Sequence, residues 1–244
     1  MIQGFFQGIA FLFQGFSLIT QKNIRGFVVI PLLINIVVFC GAIWLANVQF
    51  DIWMDRLLGW LPSWLSWVEW ILFPFFAVLI LLVIYYTFSI VANFIAAPFN
   101  ALLAERVEKV LEGRALPESS GWKALAKNIG KTLGSEVKKV FYMIKWMPLL
   151  LIITVIPGVN LIAPLAWVVY GSWMYSLQYS DFPMGNHELF IKEELAILRK
   201  NRAHALGFGA ATSLITIIPV LNFVAMPVAV SGATAMWVKR LSHG

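Results

Sequence analysis

Two long uncharged stretches, residues 146–180 and 205–238, constrain this chain more than any other feature, and both are interrupted in the same way. The first contains Ile156-Pro157-Gly158-Val159-Asn160, and the second contains Ile218-Pro219-Val220-Leu221-Asn222. One membrane span needs about 20 apolar residues, so each stretch is too long for one span and too short for two spans with a turn. Proline removes a backbone donor, and asparagine readily adopts turn geometry. Each stretch therefore predicts two helices joined by a polar bend, a re-entrant hairpin that enters the membrane and returns.

Composition indicates a membrane protein. Only 12% of the residues are charged, whereas roughly 25% is typical of soluble domains, and the mean hydropathy is +0.82. The single cysteine, Cys40, excludes an intrachain disulfide. The net charge of +6 has two interpretations: basic residues that hold one face at the cytoplasm and attract anionic lipids, or a field that attracts an anionic solute.

Charges, prolines and tryptophans predict the order of the elements. They are an amphipathic helix, a span, a Trp-rich connector, a second span, a pair of polar amphipathic helices, the first hairpin, a polar connector and the second hairpin. They cover, in that order, 1–21, 26–47, 51–69, 75–104, 105–145, 146–180, 181–204 and 205–238 of a single membrane domain, 1–244. Pro74 and Pro98 are expected to delimit the second span, and the first polar helix is expected to stop at Gly113. The predicted fold class is an all-α integral membrane protein with two transmembrane helices, two re-entrant hairpins and amphipathic helices.

Arg56 is the only basic residue of the Trp-rich connector. If both hairpins return to the side from which they entered, all other basic residues share one face. Because cytoplasmic loops carry an excess of Lys and Arg, this face is predicted to be cytoplasmic.

Four segments in order along the chain carry a resemblance to a known family. They are Ile24 to Asn35, Ala96 to Glu105, Asp181-Phe182-Pro183 with Asn186-His187, and Met226 to Val238. Together they resemble the CysZ family of bacterial sulfate permeases over nearly the whole chain. The resemblance implies an inner-membrane protein that passes sulfate into the cell for cysteine biosynthesis without ATP hydrolysis. It also implies two long spanning helices, half-penetrating hairpins and a homo-oligomer that could include antiparallel protomers.

The resemblance further implies a sulfate-binding stretch before the first span. The family usually carries a Gly-hydrophobic-Arg-Arg type sequence there, and Asn23-Ile24-Arg25-Gly26 matches it with one arginine only. Lys22 is then the candidate for the missing charge. The residues themselves agree, since 22–26 opens a helix whose free N–H groups attract anions, and Arg25 can bind an oxyanion through two nitrogens. The alternative is that Lys22 and Arg25 only anchor the helix at the membrane surface.

Polar residues within or beside the apolar stretches are the predicted pore-lining residues, because polar groups at membrane depth usually face protein or a cavity. They are Asn35, Asn93, Asn100, Glu105, Arg106, Lys109, Asn160 and Asn222. For the asparagines the alternative is hydrogen bonding between helices or capping at bends, and for the charged residues it is a solvated helix end. Asn160 and Asn222 are the better candidates, because their hairpins have few other reasons to enter the membrane.

Enzymatic functions have no supporting motif. The sequence has no phosphate-binding loop, no H-E-x-x-H and no G-x-S-x-G. His187 and His204 stand alone without a set of metal ligands, and no metal, cofactor or nucleic acid is expected. The predicted function is passive or ion-coupled uptake of sulfate across the bacterial inner membrane. The alternative is a non-transporting membrane scaffold or regulator of a sulfur-uptake system.

Overall fold

The computed structural model describes residues 1–60, 69–113, 134, 135 and 137–242, and every regular element in these ranges is helical. The helices are α1 (Ile2–Ile19), α2 (Gly26–Leu58), α3 (Glu69–Glu112), α4 (137–144), α5 (Met147–Val155), α6 (Ala163–Asn186), α7 (Ile191–Lys200), α8 (Arg202–Ile217) and α9 (Pro219–Met236). A 3₁₀ helix, Val159–Ile162, precedes α6, and a π-helical turn, Trp237–Leu241, follows α9. The predicted all-α class is confirmed.

Four helical segments in the described part of the chain are long and apolar enough to cross a membrane. They are Ile2–Ile19, Gly26–Arg56, Trp70–Thr87 and Pro219–Leu241. The segments in α2 and α3 correspond to the two predicted spans. α1, predicted as an amphipathic helix, and α9, predicted as half of a hairpin, also meet the requirements of length and composition.

α2 and α3 are longer than predicted. α2 continues past residue 47 to Leu58, and α3 runs from Glu69 to Glu112 through both Pro74 and Pro98. The two prolines therefore do not end the helix, whereas the bounds of the second span within a bilayer stay a prediction. A proline removes one helical hydrogen bond, but in an apolar setting the neighbouring residues have no better partners than those of the helix.

The polar region also differs from its prediction. Residues 105–112 are the last turns of α3 rather than a separate amphipathic helix, and α3 is followed directly by Gly113, whose φ is 65°. Most of the second predicted polar helix, 114–133, lies outside the described residues, as does 61–68 of the Trp-rich connector. Residues 181–186 extend α6, and the helix of the polar connector is α7, which begins at Ile191.

Residues 29–99 form one of two compact units. Within it, Phe50 of α2 packs against Phe73 and Phe76 of α3, with ring centroids 5.0 and 5.8 Å apart. Elsewhere the two helices expose large apolar side chains, among them Val37 at 69% and Trp44 at 68%. An apolar surface of this extent is expected of helices that face lipid.

The second unit comprises residues 1–28 and 100–244, and in it α1 packs against α8 and α9, while α6 packs against α8. Its fully buried core includes Leu12, Leu177 and Phe208. Glycines let these helix backbones touch, since a Cβ at Gly207 would collide with the carbonyl of Phe5, and one at Gly209 with the carbonyl of Ser172. Packing through small residues is characteristic of membrane helices.

Both uncharged stretches are broken where the sequence predicts. The first turns between α5 and the 3₁₀ helix at Pro157 and Gly158, whose φ is 85°. The second is interrupted at Ile218, which is extended with a ψ of 113°. Two helices joined by a bend are thus present in each stretch, whereas their re-entry into a bilayer stays a prediction.

α6 and α8 are in close contact. Gly209 of α8 approaches Ser172 of α6, and a Cβ at Gly171 would lie 3.9 Å from Ser213 Oγ. The Thr216 Oγ1 donates to the Tyr175 hydroxyl oxygen at 3.3 Å. These contacts link the helix that follows the first bend to the helix that precedes the second.

Candidate anion site

A short turn between α1 and α2 carries the predicted sulfate-binding residues. The amide N–H groups of Ile24 and Arg25 both donate to the Gln21 carbonyl, at 2.9 Å. The Ile24 side chain is 0% exposed and anchors the turn in the core, whereas Lys22, Asn23 and Arg25 are exposed. The turn thus presents its polar and cationic side chains on the surface of the protein.

The start of α2 has fewer free N–H groups than predicted. The amide of Phe27 donates to the Ile24 carbonyl at 3.0 Å, and that of Val28 to the Arg25 carbonyl at 3.1 Å. Donors for an anion must therefore come mainly from side chains. At Gly26 an added Cβ would meet nothing within 4 Å, so packing does not require glycine where the family usually carries a second arginine.

Arg106 lies beside this turn. Its Nε donates to the Asn23 carbonyl at 3.1 Å, which brings a predicted mouth residue to the predicted anion site. Across the described part of the chain, no carboxylate forms a salt bridge with Lys22, Arg25 or Arg106. The turn and the adjacent Arg106 therefore contribute three cationic side chains that have no described counter-ion. Such a group attracts a multivalent anion.

Glu105 and Lys109 behave differently from Arg106. They are one helical turn apart on α3, and the Lys109 Nζ lies 3.5 Å from the Glu105 Oε1. Such surface pairs contribute little to stability, but their charges offset each other. Of the three charged residues predicted at the mouth, only Arg106 has no counter-ion among the described residues.

Asn100 is buried against a neighbouring helix. It is 6% exposed, and its Nδ2 lies 3.1 Å from the Met226 Sδ, which fits the alternative of bonding between helices. Asn35, in α2, is half-buried, and its Oδ1 has no hydrogen-bond partner among the residues described. Asn93 belongs to α3, and its side chain lies outside the described residues.

Asn160 and Asn222 are exposed at the two bends. Their backbone N–H groups donate to the carbonyls of Ile156 and Ile218, at 3.0 and 2.9 Å, and so stabilise the bends. The apolar residues that follow them, Leu161 and Phe223, are 84% and 77% exposed. Side chains this apolar and this exposed favour insertion of the bends into lipid.

One buried pair was missed by the sequence analysis. Glu108 is 2% exposed, and its Oε1 lies 2.7 Å from the His187 Nε2, while the histidine ring packs against Trp237 at 5.4 Å. The hydrogen bond to Glu108 raises the pKa of His187 above 6.5, although partial burial opposes this rise. The sequence contains no sign of this contact, because the separation of 79 residues leaves no local signal for it.

Comparison with known proteins identifies the family of this chain. The family described as "Sulfate transporter CysZ/Etoposide-induced protein 2.4" matches residues 11–227. The protein named Sulfate transporter CysZ of Pseudomonas aeruginosa (strain LESB58) is 43% identical over 96% of this chain and 95% of its own length. Relatives of the same name from Pseudomonas syringae and Pectobacterium atrosepticum are 43% and 42% identical over 96% of this chain, and over 92% and 85% of their own lengths. The chain belongs to the CysZ/Etoposide-induced protein 2.4 family.

Proposed function

We propose that this chain is a sulfate permease of the bacterial inner membrane, which passes sulfate into the cell for cysteine biosynthesis without hydrolysing ATP and without any chemical step. The observation that carries the proposal is the group formed by Lys22, Arg25 and Arg106, which has no counter-ion among the described residues. The choice of sulfate rests on relatives at 43% identity that are named Sulfate transporter CysZ.

Such a group meets the main physical requirement of sulfate transport. Removing a doubly charged oxyanion from water without compensation costs on the order of tens of kcal/mol, so a permease must replace lost hydration with donors and positive charge. Arg25 is exposed and can present two parallel N–H groups to one oxyanion. Arg106 uses its Nε for the Asn23 carbonyl, and its two terminal nitrogens can face the anion.

The proposed path continues along the two bends. Interrupted backbone is tolerated at membrane depth only where protein or a watery cavity satisfies it, and the helices are interrupted at Gly158 and Ile218. Asn160 and Asn222 are exposed beside these interruptions. Because both bends lie on the surface of their unit, further copies of the chain would enclose the path, and a homo-oligomer is part of this proposal.

Sulfate binding by matched arginine variants tests the site. Arg25→Ala should weaken sulfate binding by roughly tenfold or more, because a hydrogen bond to a charged group contributes about 1.5–3 kcal/mol. Arg56→Ala is the control, since Arg56 is an exposed arginine in the last turn of α2. Isothermal titration of each detergent-solubilised variant with sulfate measures the difference, and equal effects would remove Arg25 from the site. A wild-type protein that binds no sulfate would instead favour a scaffold or regulator.

A further inference from the structure

A second cationic site lies at the other end of α1. An open cleft of about 490 Å³ is bounded by the start of α1, the junction of α7 with α8, and the π-helical turn after α9. Its polar lining includes Gln3, Gln7, Lys200, Arg202, His204 and Arg240. α1 has 18 residues, so a rise of about 1.5 Å per residue separates the cleft from the α1–α2 turn by roughly 27 Å.

The cleft is suited to an anion. Lys200, Arg202 and Arg240 line it, and no carboxylate occurs among its described lining residues. The Gln7 Oε1 accepts hydrogen bonds from the His204 Nε2 at 3.0 Å and the Arg240 Nη2 at 3.3 Å. This oxygen, which would otherwise repel an anion, is thereby occupied by donors.

The start of α8 adds to the positive potential of the cleft. Its N-cap residue, Asn201, forms no side-chain hydrogen bond to the first turn, and the Asn201 Nδ2 donates back to the Ile197 carbonyl. The first-turn N–H groups of a helix carry the positive end of its dipole. Arg202, Ala203 and His204 of that turn all line the cleft.

An exposed apolar strip on α1 adjoins the cleft. Ile2 and Phe6 are 77% and 63% exposed, and Phe13 is 60% exposed. Spacings close to whole helical turns place these side chains on one face of the helix. A free oxyanion would use the cleft alone, whereas an anionic lipid would use both the cleft and the strip.

We propose that this cleft binds the phosphate group of an anionic phospholipid, whose acyl chains lie along Ile2, Phe6 and Phe13. Lys200, Arg202 and Arg240 supply the positive charge, and the volume lies within the range of roughly 300–1,000 Å³ that is usual for small-molecule sites. This lipid site is separate from the proposed sulfate site, and it gives the basic residues before α8 a specific ligand.

Short-chain lipids test the proposal on the intact protein in detergent. Isothermal titration would compare dihexanoyl-phosphatidylglycerol, dihexanoyl-phosphatidylcholine and inorganic phosphate. The double variant Arg202→Gln/Arg240→Gln should weaken phosphatidylglycerol binding by roughly thirtyfold. Each basic residue near a lipid phosphate contributes roughly fivefold to the affinity, and the two factors multiply. The matched control is Lys192→Gln/Lys239→Gln, which removes the same charge from exposed residues outside the cleft.

The expected result is binding of phosphatidylglycerol only, weakened in the cleft variant and retained in the control. Equal loss in both variants, or equal binding of phosphatidylcholine, would overturn the proposal. Inorganic phosphate that binds as tightly as phosphatidylglycerol would assign the cleft to a free oxyanion and also overturn it. Because Arg25→Ala should bind the lipid normally, failure of this proposal and failure of the sulfate site give different results.

Discussion

At the buried end of α3, Glu108 depends on His187 for a hydrogen-bond donor, because its second oxygen has no partner among the described residues. When a buried charged group loses its hydrogen-bond donor, nothing offsets the free-energy cost of removing that group from water. We therefore expect His187→Ala to lower the free energy of unfolding by about 1–3 kcal/mol. Thermal unfolding in detergent would measure this loss, and His204→Ala serves as the histidine control. An unchanged midpoint for His187→Ala would show that the contact contributes nothing.

The same pair should make stability depend on pH. Because the pKa of His187 is raised in the folded protein, its contribution is fully present below the unfolded pKa of about 6.5 and disappears as the pH rises through the folded pKa. His187→Gln keeps a neutral donor but removes the titration. The gap in unfolding midpoint between wild type and this variant should be larger at about pH 6 than at about pH 8.5. A gap that grows with pH would contradict the assignment.

Individual residues were predictable from the sequence only where local chemistry sufficed. Lys22 and Arg25 could be placed at the start of a helix because charge and chain order alone define that position. Two contacts could not be predicted in this way, those of Arg106 with the Asn23 carbonyl and of Glu108 with His187. Each joins parts of the chain that only folding brings together.

Because some helices touch through glycine, the stability of the protein should depend steeply on side-chain size at these positions. Gly209→Ala should destabilise the protein by about 1–3 kcal/mol, because its new methyl group would collide with the Ser172 carbonyl. Gly185→Ala is the matched control within α6, where a Cβ meets nothing within 4 Å, and alanine should gain about 0.5–1 kcal/mol there. Thermal unfolding compares the two variants, and equal midpoints would show that α6 and α8 are not in backbone contact.

Within each bend, water accessibility should differ between neighbouring residues. In a Cys40→Ser background, Asn160→Cys and Asn222→Cys should react with a water-soluble maleimide in the membrane, because these positions are proposed to line the path. Leu161→Cys and Phe223→Cys are the neighbouring controls, and lipid should protect their highly exposed positions. Protection of both asparagine positions would exclude the bends from a hydrated path.

Prolines show what could be predicted at the scale of elements. Pro157 and Pro219 mark real interruptions, because one is followed by Gly158 with a positive φ and the other starts α9 after the extended Ile218. Pro74 and Pro98 lie inside α3 without ending it. Proline alone therefore does not define a helix end, and the conformation of the residue beside it decides the outcome.

Across the whole molecule, positive charge gathers at both ends of α1. The α1–α2 turn carries Lys22 and Arg25, and the cleft at the other end carries Arg202 and Arg240. Our two proposals thus assign the two interpretations of the net charge, attraction of a solute and attraction of anionic lipid, to separate places on the surface. The apolar stretches and the composition predicted the all-α membrane class, but this division of charge depends on the packing of α1 against α8 and α9.

Uptake of radiolabelled sulfate into liposomes that contain the purified protein tests the central claim most directly. We predict uptake well above that of protein-free liposomes, reduced in Arg25→Ala and retained in Arg56→Ala. Repeating the measurement with and without a proton or sodium gradient would identify a coupled ion. Uptake by the folded, membrane-inserted wild-type protein that does not exceed uptake by protein-free liposomes would contradict the account.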